Sequence, residues 1–578
     1  MTNDNRTLTG KASIDRPWLN YYPEMLRDLQ IPDCTITEFI KMKNPDWNAL
    51  AFEYYGRRYD WNFIWDRVDA AARSLKILGF GVGTRIPVFL QTVPEYLILL
   101  LAAEKIGAAI ICRDDVPDEI AFAIRKSGAD VIFAPDYISK AEEEQYLSET
   151  PMKRIVKVSP YTYADRDSMP EHIISEIEAH YPEETACGSD NLTWEEFLAL
   201  GNDYEGETEA PKDTTRPLYC AYTSGSTGIS KLVLHSAQSM MGIIFQMSMF
   251  YPVTETQQTW LHTILPPALV AVTVTMWLTP LCAGKLVMLD PYCNLNDLDL
   301  EVMRYQPNFW ICIPVFYKVL MKSKRFPEDY SLNHLAVAGS GADTLNNKQI
   351  RQIQKFLTDH GCEAALGTGY GQSEGGSTFT IPCPAVPLTD TCCGMPMPAI
   401  VLGIFDNETG EEVGYGEIGE ICKTGAGNML GYQDEKMTEE VMRLHSDGKV
   451  WIHTGDYGYI TEQGVLHVLG RGLQKRYGFE NEYLFSLDPE SRVVEIPGVD
   501  DAFFCNVPDQ EHEGYFLPYL FIAPEKGVEL DSLRDEIMAV LKPFERPVEM
   551  IQIKEREYFH FKTNKKILIA DILNRQQA

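Results

Sequence analysis

From about residue 50 onward, short apolar runs alternate with stretches of helical period, and this restricts the chain more than any other feature. RIPVFL (85–90), AAIIC (108–112) and DVIFAP (130–135) read as strands. EYLILLLAAEKIG (95–107) and DEIAFAIRKSG (118–128) read as helices. Strands that return after helices build parallel sheets covered on both faces, so a doubly wound α/β fold is expected. Residues 140–215 are more polar and acidic and read as a surface excursion. Alternation resumes at Leu218, with LYCAY, LVLH, KLVML, FWICIP and HLAVAG as strands and HSAQSMMGIIFQMSMF and NKQIRQIQKFLTDHG as helices. After about residue 395, IVLGIFDNETGEEVGYGEIGEICKTG and HTGDYGYITEQGVLHVLGRG carry turn residues at hairpin spacing. A smaller mixed segment follows, with DSLRDEIMAVLKPF as a helix and VEMIQIKE as a strand. At 578 residues the chain exceeds what one core supports, so several domains are expected.

The loop between LYCAY and LVLH reads YTSGSTGISK, Tyr222 to Lys231. Apolar strand-like flanks argue against a Gly/Ser linker. A Walker loop needs a glycine immediately before the lysine, and Ser230 stands there. What remains is a turn whose hydroxyls, backbone N–H groups and lysine converge on a polyanion, phosphate being the usual one.

Net charge is −32, a field that repels nucleic acid and anionic lipid. The 13 cysteines are scattered, with no C-x-x-C, so reduced core thiols and a cytoplasmic location are expected. The N-terminus lacks the apolar core of a signal peptide. The uncharged run Ile264–Gly284 is of bilayer length but contains three prolines, and reads as a buried strand, turn and helix.

Four further motifs follow the hydroxyl-rich loop in fixed order: AVAGSGAD, GYGQSEGG from Gly369, HTGDYGYI from His453 with GRG at Gly470, and KTNKKI near the C-terminus. In this order they resemble the adenylate-forming superfamily, closest to the AMP-forming acyl-CoA synthetases, over roughly residues 40–570. That resemblance implies a large N-terminal domain, 1–471, of two doubly wound αβ subdomains plus a small β-barrel-like subdomain. A small mobile α+β domain, 472–578, would follow.

The implied reaction activates a carboxylic acid as acyl-adenylate at the expense of ATP, with Mg²⁺, and passes it to CoA. Bringing a carboxylate to an α-phosphate sets two anions against each other, so cations, donors and positioning are what the site must supply. By resemblance Thr223, Ser224, Gly225, Ser226, Thr227 and Gly228 grip the β- and γ-phosphates, with Lys231 adding charge. Ser340, Gly341 and Ala342 flank the adenine on one side. Gly369, Tyr370, Gly371 and Ser373 flank the other, and Glu374 binds Mg²⁺. Asp456 accepts from the ribose hydroxyls, and Arg471 contacts the sugar. Lys566 reaches the carboxylate and α-phosphate during adenylation, with the adjacent Lys565 as the alternative. Leu473 stands where the family usually has Asp or Lys at the hinge.

The small domain matches the family less closely, which leaves a carrier-protein pantetheine as an alternative acceptor. Gly371-Gln372-Ser373-Glu374-Gly375 also fits the G-x-S-x-G of serine hydrolases, but two glycines and a proline follow where a helix should open. At 268–270, where amino-acid-activating relatives carry an aspartate for the amine, this chain has Ala268, Leu269 and Val270. A hydrophobic or aromatic acid is therefore expected. The oligomeric state, homodimer included, stays open.

Overall fold

The computed structural model describes residues 8–113, 117–223, 231–251, 254, 256–383, 386–389, 391–556, 558–559, 562–563 and 565–577. Two sheets with helices packed against them form the bulk of the large unit. The first has seven strands in the order Leu366–Thr368, Val337–Ser340, Phe309–Cys312, Thr259–Thr263, Leu286–Asp290, Leu50–Tyr54, Arg57–Asp60. All its pairings are parallel except the last. The second runs Gly431–Tyr432, Leu232–Ser236, Pro217–Tyr222, Ala109–Cys112, Arg85–Pro87. A parallel bridge between Val88 and Phe133 joins it to Val131–Pro135, Arg154–Val158 and Leu192–Thr193. Residues 140–215 therefore extend this sheet and are not merely a surface excursion. Ile155, Val156, Ile173, Trp194 and Phe197 are all buried, at spacings that the surrounding acids obscure.

The helix Pro94–Ile106 is buried at every position but Glu104 and Lys105, as expected for an element apolar on all sides. Proline opens it, and Gly107 closes it in the left-handed conformation. The Glu104 carboxylate accepts the first N–H groups of a second helix, Ile36–Lys43, at Ile36 and Thr37.

The run 264–284 contains no strand. The strand Thr259–Thr263 precedes it, and the run itself is a turn, a π-helix Val272–Leu278 and a short α-helix Thr279–Cys282. The Thr279 N–H donates to the Val274 carbonyl five residues back, and the Thr279 hydroxyl donates to the same oxygen at 2.8 Å. No helix among the described residues is long and apolar enough to cross a membrane.

The hairpins after 395 form an antiparallel sheet of Ile400–Phe405, Gly419–Gly425, Val450–Ile460 and Met442–Leu444, with Leu466–Arg471 also paired to the long strand. The C-terminal segment has its own three-stranded sheet, Val499–Pro508, Phe516–Pro524 and Glu549–Gln552. One face packs on Leu487–Val494 and Leu530–Val540, the other on Lys565–Gln577. All 13 cysteines are free thiols.

Candidate active site

The strands Pro217–Tyr222 and Leu232–Ser236 pair antiparallel with Tyr222 opposite Leu232, which brings the two ends of YTSGSTGISK together. Its base is clamped from both sides. Thr223 N–H donates to the Lys231 carbonyl at 2.9 Å, and Lys231 N–H donates to Thr223 Oγ1 at 3.2 Å. Ser224, Gly225, Ser226, Thr227 and Gly228 lie outside the described residues. Lys231 Nζ stands 4.9 Å from the centre of the Tyr432 ring. The Tyr432 hydroxyl in turn donates to Glu374 Oε1 at 2.6 Å. Tyr432 reaches this place because Gly431–Tyr432 adds an edge strand beside Leu234 and Val233. No motif in the sequence marks it.

Glu374 sits in a 3₁₀ turn, Ser373–Gly375, between the short strands Gly371–Gln372 and Ser377–Thr378. A Cβ on Gly371 would stand 1.7 Å from the Ser377 carbonyl oxygen, so only glycine allows this hairpin to close. No helix follows Ser373. The buried His235 Nε2 lies 2.7 Å from the Ser373 backbone carbonyl, not on its hydroxyl, and burial drives the ring's pKa down to about 4. This is no nucleophile elbow.

Asp456 is aimed by a bulge. Glu420 pairs with Tyr457 and Cys422 with His453, so the single residue Ile421 faces three, Thr454, Gly455 and Asp456. Thr454 Oγ1 donates to the Ile421 carbonyl at 2.6 Å, and Gly455 N–H donates to Glu420 at 3.0 Å. The Asp456 side chain accepts from the Tyr370 hydroxyl at 2.7 Å and from Gln372 Nε2 at 2.6 Å. Both bonds fall on Oδ2. Burial raises the Asp456 pKa, against the opposing pull of Arg471, Tyr370 and Gln372. Arg471 is its cross-strand partner. Gln372 stood in the variable position of the Y-G-x motif, where sequence spacing assigned it no role.

Beside these groups lies a cavity of about 530 Å³. Ser340, Gly341, Ala342, Gly369, Tyr370, Gly371 and Ser373 line one side, bringing together the two motifs expected to flank adenine. The Ser340 hydroxyl is buried with no hydrogen-bond partner among the described residues. Such a group costs about 1–3 kcal/mol unless something bonds it. Ala342 is held at φ +66°, a left-handed strain that non-glycine residues seldom bear without a reason in function. Phe250, Leu265, Ala268, Leu269 and Met276 line the other side, the last from the π-helix. Among the described residues no lining side chain is charged.

Lys565 and Lys566 open the C-terminal helix Lys565–Gln577. Lys565 Nζ is 3.9 Å from the buried Glu490 of the same small unit, and the side chain of Lys566 lies outside the described residues. Leu473 is half-buried and follows Gly472, which has φ +73° and donates its N–H to the Gly455 carbonyl at 2.9 Å.

Two α/β sheets, an antiparallel module and a separate small C-terminal unit, with a cavity lined by both the Ser340–Ala342 and the Gly369–Ser373 motifs, are the architecture expected of an ATP-dependent adenylate-forming ligase. The comparisons agree. The profile of the AMP-binding enzyme family matches residues 40–433, so the chain belongs to the AMP-binding enzyme family and is an AMP-forming ligase. It is 24% identical to "4-coumarate--CoA ligase 2" of Oryza sativa subsp. japonica over 85% of this chain and 84% of that one. It is 21% identical to "Long-chain-fatty-acid--CoA ligase" of Escherichia coli O157:H7 over 86% and 87%. Among solved structures it is similar in fold to the anthranilate CoA ligase AuaEII in complex with anthranoyl-AMP, with TM-score 0.77, 16% identity and coverage of 95% and 99%.

Proposed function

We propose that this ligase joins a hydrophobic or aromatic monocarboxylic acid to CoA through an acyl-adenylate. The observation that carries the substrate class is the uncharged, largely aliphatic wall of the cavity beside the adenine motifs. An ammonium or second carboxylate buried there would lose its hydration and find no ionic partner among the described lining residues, whereas an apolar chain or ring gains about 25 cal/mol per Å² buried. Relatives named for coumarate and long-chain fatty acids support this range, and their names also supply CoA as acceptor.

In this reading 1–471 is the adenylation domain and 472–578 the mobile domain bearing Lys566. The hairpin loop ending at Lys231 binds the β- and γ-phosphates. Ser340–Ala342 and Gly369–Tyr370 flank the base, and Asp456 takes the ribose with Arg471 beside it. Glu374 offers a hard carboxylate oxygen near the phosphate loop, and one or two carboxylates plus substrate phosphates are what Mg²⁺ ordinarily needs. When bound, Mg²⁺ would neutralise phosphate charge and polarise the α-phosphorus. Tyr432 holds the carboxylate in place through Oε1.

The test is a panel of aliphatic, branched, aromatic, amino and dicarboxylic acids with ATP and CoA, scored by thioester formation. Hydrophobic monocarboxylates should lead. A preference for amino acids or dicarboxylates, or adenylate formation without any CoA thioester, would overturn the assignment. Leu269→Asp should lower kcat/KM for the best acid about 10–100-fold, since a buried carboxylate costs several kcal/mol beside an apolar ligand, and should shift preference toward amine-bearing acids.

Asp456→Asn should raise the KM for ATP about 10–100-fold, the worth of a charge-assisted hydrogen bond, with kcat less affected. Because burial holds the Asp456 pKa above the ordinary carboxylate value, ATP affinity should begin to fall at a higher pH than an ordinary carboxylate would set. It should fall as pH drops through that raised pKa, and the Asn variant should lose this acid limb. Calorimetric titration of ATP across pH checks both.

A further inference from the structure

We propose that Glu420, Cys422 and His453 form a site for a borderline-soft divalent d-block cation, with Zn²⁺ as the best fit. The proposal goes beyond ATP-dependent ligation and does not depend on it.

The sequence spacing E-x-C and a distant histidine shows no zinc pattern. The fold creates the cluster by placing Cys422 directly opposite His453 across an antiparallel ladder. Glu420, two residues back on the same strand, presents its carboxylate to the same ring. One donor atom from each residue lies within 4.8 Å of the other two. Thiolate, imidazole and carboxylate are together a donor set that suits zinc.

The distances agree with this. In tetrahedral zinc, bonds of about 2.3 Å to sulfur and 2.0–2.1 Å to nitrogen set those two atoms about 3.5 Å apart. Cys422 Sγ and His453 Nδ1 are 3.5 Å apart. Nitrogen and carboxylate oxygen should stand about 3.3 Å apart in the same geometry. Glu420 Oε2 and His453 Nδ1 are now 2.8 Å apart across a hydrogen bond, so the carboxylate must withdraw by about half an ångström. Its other oxygen, Oε1, can keep the Gly455 N–H bond.

A fourth residue completes the proton accounting. His445 Nε2 is 2.9 Å from His453 Nε2. Without metal, His453 donates from Nδ1 to Glu420 and accepts at Nε2 from His445. With metal on Nδ1, the His453 proton moves to Nε2 and donates to His445, which then carries its own proton on Nδ1. The Cys422 thiol loses its proton to solvent, so one proton is released per ion bound. His445 thus orients the metal-binding tautomer, as outer partners of ligating histidines generally do. It is half-buried and stands at the outer side of the His453 ring, while the Glu420 and His453 side chains are 8% and 10% exposed. An ion there would fix the bulge that carries Asp456.

The test uses the full-length protein after chelator treatment, with Co²⁺ as spectroscopic probe and Zn²⁺ as competitor. One equivalent of Co²⁺ should produce ligand-field bands of tetrahedral intensity and a thiolate-to-cobalt charge-transfer band, both abolished by Zn²⁺. Cys422→Ser should lose the thiolate band, while Cys187→Ser, at an exposed thiol, should keep it. His445→Ala should weaken Zn²⁺ binding about 10–100-fold against a chelating dye while retaining the band. No charge-transfer band in the wild type, or one that survives Cys422→Ser, would overturn the site.

Discussion

Lys566→Ala is expected to lower ATP–pyrophosphate exchange about 10²–10³-fold, the range lost with one well-placed donor to a developing charge. Attack of CoA on a supplied acyl-adenylate should stay near its normal rate. The asymmetry follows from what each half-reaction needs. Adenylation forces an acid anion against the α-phosphate, so a cation bridging the two does most of its work there. Thioester formation starts from a mixed anhydride in which that repulsion is already relieved. The lysine rides on a unit held to the large one in part by ion pairs, Arg351–Glu495, Lys348–Glu525 and Lys318–Asp501, with exposed partners in the first two. The first two, each with an exposed partner, are worth about 0–1 kcal/mol each and oppose movement of the unit little, whereas Asp501 of the third is buried. A cleft of about 390 Å³ lies between the two units, lined by Ile353 and Phe356 on one side and Asp500 and Asp501 on the other. We infer that rotation at Gly472–Leu473 withdraws the lysine once adenylation is complete. Gly472, already in the left-handed conformation, is a residue able to absorb the dihedral change such a rotation needs. Equal loss in both half-reactions would show the residue to be structural. Normal exchange in Lys566→Ala with loss in Lys565→Ala would move the role one position, although Lys565 already lies near Glu490.

The strand–helix alternation was legible because period 2 and period 3.6 leave marks in any window of ten residues. Residues 140–215 escaped because their buried positions, such as Ile173 and Ile177, are diluted among glutamates, and average polarity outweighs periodicity there. The π-helix at Val272–Leu278 had no local signature, since its apolar and β-branched run does not distinguish a π from an α register. The candidate site's residues could be proposed from sequence wherever a motif is contiguous. Thr223, Tyr370, Glu374 and Asp456 each stand in such a run. Tyr432, Gln372 and the Glu420–His453 pair were not, because strand register brings their partners together across 33 to 84 residues. Register is a property of the folded sheet.

Glu374→Gln is expected to cut the maximal adenylation rate on the order of 10²-fold or more, the scale of losing metal charge from a transferring phosphoryl group. The substitution keeps the shape and lets the side-chain carbonyl still accept from the Tyr432 hydroxyl, so folding should be intact. What it removes is the negative charge, and a neutral amide is a weaker ligand for a hard dication than a carboxylate. The defect should therefore appear as magnesium dependence. Raising Mg²⁺ should recover part of the rate, and calorimetry should show ATP affinity no longer rising with Mg²⁺ as it does in the wild type. Tyr432→Phe separates positioning from charge. It leaves the carboxylate but frees Oε1, so it should raise the Mg²⁺ requirement several-fold while the rate at saturating Mg²⁺ stays within about threefold of wild type, as expected for loss of an outer-sphere bond. If Glu374→Gln lowered the rate without altering the Mg²⁺ requirement, Glu374 would be acting through Tyr432 on the Lys231 side of the cleft, and the metal would have to lie elsewhere.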